Sequence, residues 1–246
     1  MANKKNVAAV QSKGPQLIAD KAPFEYVEAY KALRTNVNFM TANGKNRKIV
    51  VTSALSDEGK SSVAINLAIS LAQAGSKVLL VDADMRNPSL LRYMQLKKNP
   101  NAGLSTLLSG DVKVGDCLIQ TDFGVDVIAG GPIPPNPAEL IGSETMGELL
   151  RVAAEQYDYI ICDAPPVGVL TDAAALSSFC DGVLYVIRQK YANRNQVRSA
   201  IKNLQTVNAK ILGTVLHQYA IPAGSGKRYG RYNNYYYDNE QSDKKG

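Results

Sequence analysis

The stretch Ala54–Leu55–Ser56–Asp57–Glu58–Gly59–Lys60–Ser61–Ser62 follows closely on the apolar run Ile49–Val50–Val51. It reads as a phosphate-binding loop between a strand and a helix. In such a loop the backbone N–H groups of Ser56, Asp57, Glu58, Gly59, Lys60, Ser61 and Ser62 converge on phosphate oxygens. Lys60 adds a mobile positive charge, and the Ser61 hydroxyl can ligate Mg²⁺. The helix that follows, carrying Asn66, Leu67, Ile69 and Leu71, turns its positive N-terminal end toward the anion. The general pattern is G-x-x-x-x-G-K-[ST], and Ala54 stands where the first glycine is usual.

A chain of 246 residues is long enough to bury roughly 70–75% of its unfolded surface in one domain. Its three cysteines, Cys117, Cys162 and Cys180, lack metal-ligand spacing. The apolar neighbours of Cys162 and Cys180 predict core thiols in a reducing cytosol. Polar residues break up the N-terminus, and no apolar run approaches the ~20 residues of a membrane span. The expectation is a soluble protein that reaches a membrane only through a partner. A net charge of +6 raises nucleic acid as a ligand, but Lys and Arg are dispersed along the chain, which argues against it.

Residues 1–22 are polar and read as a mobile arm, with the folded domain over residues 23–221. From Phe24 to Met40, apolar residues recur at helical spacing. Thr41–Arg47 is a polar link to a first strand, Ile49–Thr52. A helix over Ser61–Ala74 ends at Gly75, and Lys77–Val81 reads as a strand buried on both faces. Further apolar runs at Val125–Ala129, Tyr159–Cys162, Gly182–Ile187 and Ile211–Leu216 alternate with helical segments at Pro137–Glu155, Thr171–Phe179 and Asn195–Val207. That alternation predicts an α/β three-layer sandwich around a mainly parallel sheet, with ligands at the carboxyl ends of the strands. Residues 222–246 carry almost nothing aliphatic and read as a disordered tail.

Two strands end in acidic motifs: Val81–Asp82–Ala83–Asp84–Met85–Arg86 and Ile160–Ile161–Cys162–Asp163–Ala164–Pro165–Pro166. Carboxylates at these positions can hold Mg²⁺ beside bound phosphates, which makes Ser61, Asp82 and Asp163 the candidate metal ligands. In the D-x-D pair one carboxylate can bind metal while the other takes a proton from an incoming hydroxyl. The sequence leaves open which of Asp82 and Asp84 is the base. A tyrosine hydroxyl, with its pKa of about 10, needs such help. The tail supplies five tyrosines: Tyr229, Tyr232, Tyr235, Tyr236 and Tyr237.

Taken together, these motifs resemble the bacterial tyrosine kinases of capsule and exopolysaccharide biosynthesis, which share a fold with the MinD/ParA ATPases. The resemblance runs from about Glu25 to the C-terminus. Its Walker A looks like Thr52–Ser62, its Walker A′ like Leu79–Arg86 and its Walker B like Ile160–Pro166. Gly103–Leu104–Ser105 and Pro134–Pro135–Asn136–Pro137–Ala138–Glu139–Leu140 are also similar to family signatures. The resemblance implies an ATP- and Mg²⁺-dependent protein-tyrosine autokinase. Lys60, Asp82, Asp84 and Arg86 would be its catalytic residues, and the five tail tyrosines its autophosphorylation sites. It also implies a ring-like homo-oligomer, a membrane-anchored polysaccharide co-polymerase as activator, a cognate tyrosine phosphatase, and a cytoplasmic place at the inner face of the membrane.

Three positions depart from the family pattern. Besides Ala54, the oligomerisation motif E-x-x-R-x-x-R appears as Glu28, Lys31 and Arg34, and Lys lacks the bidentate fork of Arg. His217 stands where relatives often carry Asn beside the adenine base. Two rival readings share the nucleotide site: a MinD/ParA-like ATPase switch without kinase activity, and a regulatory scaffold. The switch class has a signature lysine early in its loop, at the position held here by Leu55.

Overall fold

The computed structural model describes residues 15–18, 22–41, 47–97, 99 and 101–219. The five tail tyrosines therefore lie outside the described residues. Seven strands form one sheet: β1 (Arg47–Ser53), β2 (Val78–Asp82), β3 (Leu118–Gln120), β4 (Val125–Ile128), β5 (Tyr159–Asp163), β6 (Gly182–Arg188) and β7 (Ile211–His217). Their order is β3-β4-β2-β5-β1-β6-β7, and every pairing is parallel except β3 with β4. The expected α/β sandwich is the observed fold.

Strand alternation builds its two cores. Val50, Leu79, Ile160 and Val183 face one side of the sheet, while Ile49, Val51, Leu80, Ile161 and Leu184 face the other. The second side is covered by α1 (Phe24–Met40) and α2 (Lys60–Gln73). Helix α2 is buried from Ser61 through Leu71 and ends as expected at Gly75, whose φ of 90° suits a residue without Cβ.

Three sequence expectations are corrected. First, the helix expected over Pro137–Glu155 is two helices, α6 (Pro137–Ile141) and α7 (Glu144–Ala153). Ser143 Oγ accepts from Met146 N at 3.2 Å and so caps a new helix after Gly142. Second, β3 and three short helices, α3 (Leu90–Tyr93), α4 (Leu104–Leu108) and α5 (Val114–Cys117), had no periodic signal because each spans only three to five residues.

Third, the arm is not free over Pro15–Ile18. Ile18 is only 3% exposed, and its N–H donates to Asn66 Oδ1 at 2.7 Å. Asn66, wholly buried on α2, also donates to the Gln16 carbonyl at 2.9 Å and to Tyr26 Oη at 3.0 Å. A buried amide must find such partners, and the chain ahead of α1 supplies them. Further along, Arg34 donates to the Ser70 carbonyl at 2.7 Å. Glu28 and Lys31 pair with each other at 2.7 Å, an exposed contact worth little on its own.

Ile18→Ala is expected to cost about 2–4 kcal/mol as a core truncation, lowering the melting temperature by roughly 4–15 °C. Calorimetry of the full chain measures this; an unchanged transition would mean that the segment is undocked in solution.

Candidate active site

The phosphate loop joins β1 to α2 and is shaped by two residues outside the usual helical range. Asp57 has a φ of 61° and Gly59 a φ of 90°. Gly59 is the N-cap of α2, with no side-chain cap and no acidic residue in the first turn. The first N–H groups of this largely buried helix are thereby left to an anion. Glu58 is completely buried. Its carboxylate accepts from Leu55 N at 2.7 Å and Arg188 N at 3.3 Å, so it braces the loop from within. The Arg188 guanidinium donates to the Asp57 carbonyl at 3.2 Å. At the position of the missing first glycine, Ala54 is met by Gly168, where any Cβ would come within 2.3 Å of the Ala54 carbonyl oxygen.

His217, at the end of β7, lies against the loop backbone. A Cβ on Gly59 would fall 2.3 Å from its Nδ1, and that nitrogen is buried without a hydrogen-bond partner. Burial and then the nearby Arg188 charge hold its pKa below the usual value, so the ring is neutral at neutral pH.

The acidic strand ends sit side by side, because Asp82 pairs in register with Asp163 across β2 and β5. Both are wholly buried. Asp82 Oδ2 accepts from Ser89 N at 2.9 Å and Leu90 N at 3.1 Å; Oδ1 has no partner. Asp163 has neither oxygen paired. Desolvation, then the neighbouring carboxylate, pushes Asp82 well above the ordinary carboxylate range. Desolvation raises Asp163 too, although Lys60 and Ser61 pull it back. Asp84 is engaged at both oxygens, by Lys60 Nζ at 3.0 Å and Asn87 N at 3.1 Å. Burial opposes the Lys60 ammonium, but Asp163, Asp84 and Asp82 outweigh it and raise its pKa.

Three buried carboxylate oxygens without partners, beside the Ser61 hydroxyl, fit a cation. Among the described residues no three His, Cys, Asp or Glu side chains make a ready cage. Mg²⁺ does not require one: it takes one or two carboxylates and completes its shell with phosphate oxygens and water.

Comparison with known proteins agrees with this geometry. The AAA domain family model matches residues 46–215. Tyrosine-protein kinase CpsD of Streptococcus agalactiae is 37% identical over 210 residues, covering 85% of this chain and 89% of its own length. The kinase domain of Escherichia coli tyrosine kinase ETK is 29% identical with a TM-score of 0.77, covering 90% of this chain and 88% of that one. The chimerical protein CapA2B2 is 37% identical with a TM-score of 0.75, covering 82% and 87%. The chain belongs to the bacterial tyrosine-protein kinase family.

Within this family site, sequence reasoning missed Arg188, Ser89 and Asp172. Arg86 pairs with Asp172, its Nε lying 3.3 Å from Oδ1, and Asp172 is almost entirely buried. The pair ties the D-x-D loop to α8 (Asp172–Ser177), so Arg86 holds the loop. Ser89 Oγ lies 3.1 Å from Ser61 Oγ. Arg188 ends β6, which pairs with β1, so sheet order was the only signal that could have found it. Among the described residues no helix is long and apolar enough to cross a membrane.

Gly59→Ala strains a left-handed backbone position by about 1 kcal/mol and drives a methyl into the His217 ring. Nucleotide affinity, read by fluorescent-analogue titration, is expected to fall at least about tenfold, or ~1.4 kcal/mol.

Proposed function

We propose that this protein is an ATP- and Mg²⁺-dependent tyrosine autokinase. In this reading it phosphorylates Tyr229, Tyr232, Tyr235, Tyr236 and Tyr237 of another copy's tail and so regulates capsule or exopolysaccharide synthesis. The observation that carries the reading is the unpartnered Asp82 Oδ1, buried beside Asp163 and within the field of Lys60.

The loop N–H groups from Ser56 to Ser62 cradle the β- and γ-phosphates. Lys60 leaves Asp84 to neutralise the charge that builds on them. Ser61, Asp82 and Asp163 would hold Mg²⁺, which would supply further neutralisation of the phosphate oxygens. Asp82 Oδ1, unpartnered in the structure, and Asp84 Oδ2, released when Lys60 turns to the phosphates, are the two acceptors open to the tyrosine proton. The tyrosine oxygen bonds to the γ-phosphorus, the bond from that phosphorus to the β,γ-bridging oxygen breaks, and ADP leaves with the electron pair. Neutral His217, packed on Gly59, offers its ring to the base. Arg86 acts through Asp172 to fix the D-x-D loop.

The switch reading is weaker. Its signature lysine is replaced by Leu55, whose side chain packs against the core, and both CpsD and ETK carry the kinase name. A membrane-anchored activator fits the CapA2B2 chimera. A tyrosine phosphatase would reset the tail, and the place of action would be the inner face of the membrane. Each added phosphate contributes about −1.5 to −2 charges, enough to loosen an assembly that the tail bridges.

Lys60→Met is expected to retain the fold while self-labelling from γ-labelled ATP falls at least about 10²-fold. Changing the five tail tyrosines to Phe should remove most of the label and leave ATP binding intact. If label persists on that variant, the phosphate goes elsewhere.

We assign the ring-like assembly to α1. Glu28 and Lys31, whose side chains are about half exposed, are the groups of this motif that would meet a neighbour, while Arg34 turns toward Ser70 of its own subunit. Glu28→Ala with Lys31→Ala should lower the mass seen by light scattering without shifting the melting temperature. An unchanged mass would make this pair a plain surface contact.

A further inference from the structure

Lys and Arg are dispersed along the chain, but Asp and Glu are not. From Gly182 to Tyr237 the sequence holds nine Lys and Arg and no acidic residue. The net charge of +6 therefore resides in that stretch, and the rest of the chain is acidic on balance. Its described part comprises β6, α9 (Arg194–Thr206) and β7. Val197, Ala200, Ile201 and Leu204 turn α9 onto the core. Arg194, Arg198 and Lys202, each four residues from the next, form one exposed stripe along the helix. Lys190, in the link ahead of α9, is exposed as well. Among the described residues none of these four cations enters an ion pair.

Helix stability does not account for the stripe. Acidic side chains suit the first turn of a helix and cations the last. Helix α9 has no acidic residue in its first turn and no basic one in its last, and Arg194 opens it. Like charges four residues apart also repel. Such a face gains only from an anion supplied by another segment or molecule. It is firmly held, since Asn203 Nδ2 donates to the Val167 carbonyl at 3.0 Å and fixes α9 to the loop that follows Asp163.

The root of the tail lies beside this surface. Gln189 N donates to the His217 carbonyl at 3.1 Å, so the end of β7 is bonded to the link that carries Lys190 into α9. The ten residues from Tyr219 to Tyr229 span up to ~35 Å, whereas α9, with its 13 residues, is only ~20 Å long. Each tail tyrosine can therefore reach the stripe of its own subunit. Residues 222–246 carry five Lys and Arg against three Asp and Glu, so the unmodified tail is repelled there. Each phosphate contributes about −1.5 to −2 charges, and five would bring the tail to roughly −6 to −8.

We propose that the basic stripe of α9 is an intramolecular receptor for the phosphorylated tail, with Lys190, Arg194, Arg198 and Lys202 binding phosphotyrosines among residues 229–237 of the same chain; this rests on the kinase reading above. Arg194 and Arg198 meet phosphate oxygens through paired N–H donors, and Lys190 and Lys202 add point charges. Tethering holds the phosphates at an effective concentration on the order of millimolar, which favours a chain's own tail over free anions. A spent tail is thereby withdrawn from the carboxylates on β2 and β5 to the β6–β7 side of the sheet.

Fluorescence anisotropy tests this with a labelled peptide of residues 222–246, titrated with the full-length Lys60→Met chain, whose own tail stays unmodified. The peptide phosphorylated on all five tyrosines is expected to bind, and the unphosphorylated peptide is not. Changing Lys190, Arg194, Arg198 and Lys202 together to Glu should weaken the phosphopeptide at least about tenfold. The melting temperature should not fall, because acidic side chains near the start of α9 suit its dipole. From the self-labelled wild-type chain, a tyrosine phosphatase should release label at least about fivefold more slowly than from the same four-residue variant. Dilution should leave that ratio unchanged. Equal affinities, or equal release rates, would overturn the receptor. Protection lost on dilution would overturn the assignment to the same chain. Phosphatidylglycerol vesicles or duplex DNA that displace the phosphopeptide, and bind only when the stripe is intact, would overturn the tail as occupant. If wild-type protein carries no label, the kinase reading has failed; the peptide titration, which needs no catalysis, then judges the receptor by itself.

Discussion

Two aspartates in register at the ends of adjoining parallel strands place negative charge where the fold can least solvate it. One strand spacing is about 5 Å, and at an effective dielectric near 20 two full charges that far apart repel by about 3 kcal/mol. Asp82 and Asp163 are both wholly buried, and three of their four oxygens lack a hydrogen bond. Much of the surrounding structure answers to this cost. Lys60 leans in from α2, Ser89 and Leu90 turn their N–H groups inward, and the shifted pKa values of all three side chains follow from the same crowding. A bound cation and triphosphate would satisfy what the protein alone leaves unsatisfied.

The face of the sheet carrying α1 and α2 serves the same site from behind. The rear of α2 is locked by Asn66 to the Gln16–Ile18 segment and by Ser70 to Arg34 on α1. These bonds run the length of the helix whose N-terminus faces the phosphates. Helix α1 is therefore mechanically continuous with the nucleotide loop through its packing on α2.

On the opposite edge, one carboxylate links chemistry and architecture. Asp82 Oδ2 organises the turn into α3, while its Oδ1 remains free for a proton. The wall built by that turn lines a cleft beyond the acidic centre.

The sequence alone determined the strand–loop–helix at Lys60, the two acidic strand ends, and six parallel strands to within a residue or two. It could do so because each signal is local: a buried parallel strand needs an unbroken apolar run, and a phosphate loop needs its residues in one turn. The Glu58 brace, the Arg86–Asp172 tie and the Asn66 clamp on Ile18 were beyond its reach. Their partners stand 130, 86 and 48 residues apart, and no periodicity spans such distances. Residues 15–18 looked like part of a free arm because two apolar side chains in a polar stretch carry too little pattern to announce a core position. Which carboxylate keeps a free oxygen was likewise decided only in three dimensions. Asp82 and Asp84 are equivalent in a D-x-D motif, and they become different once one faces the N–H groups of α3 and the other meets Lys60.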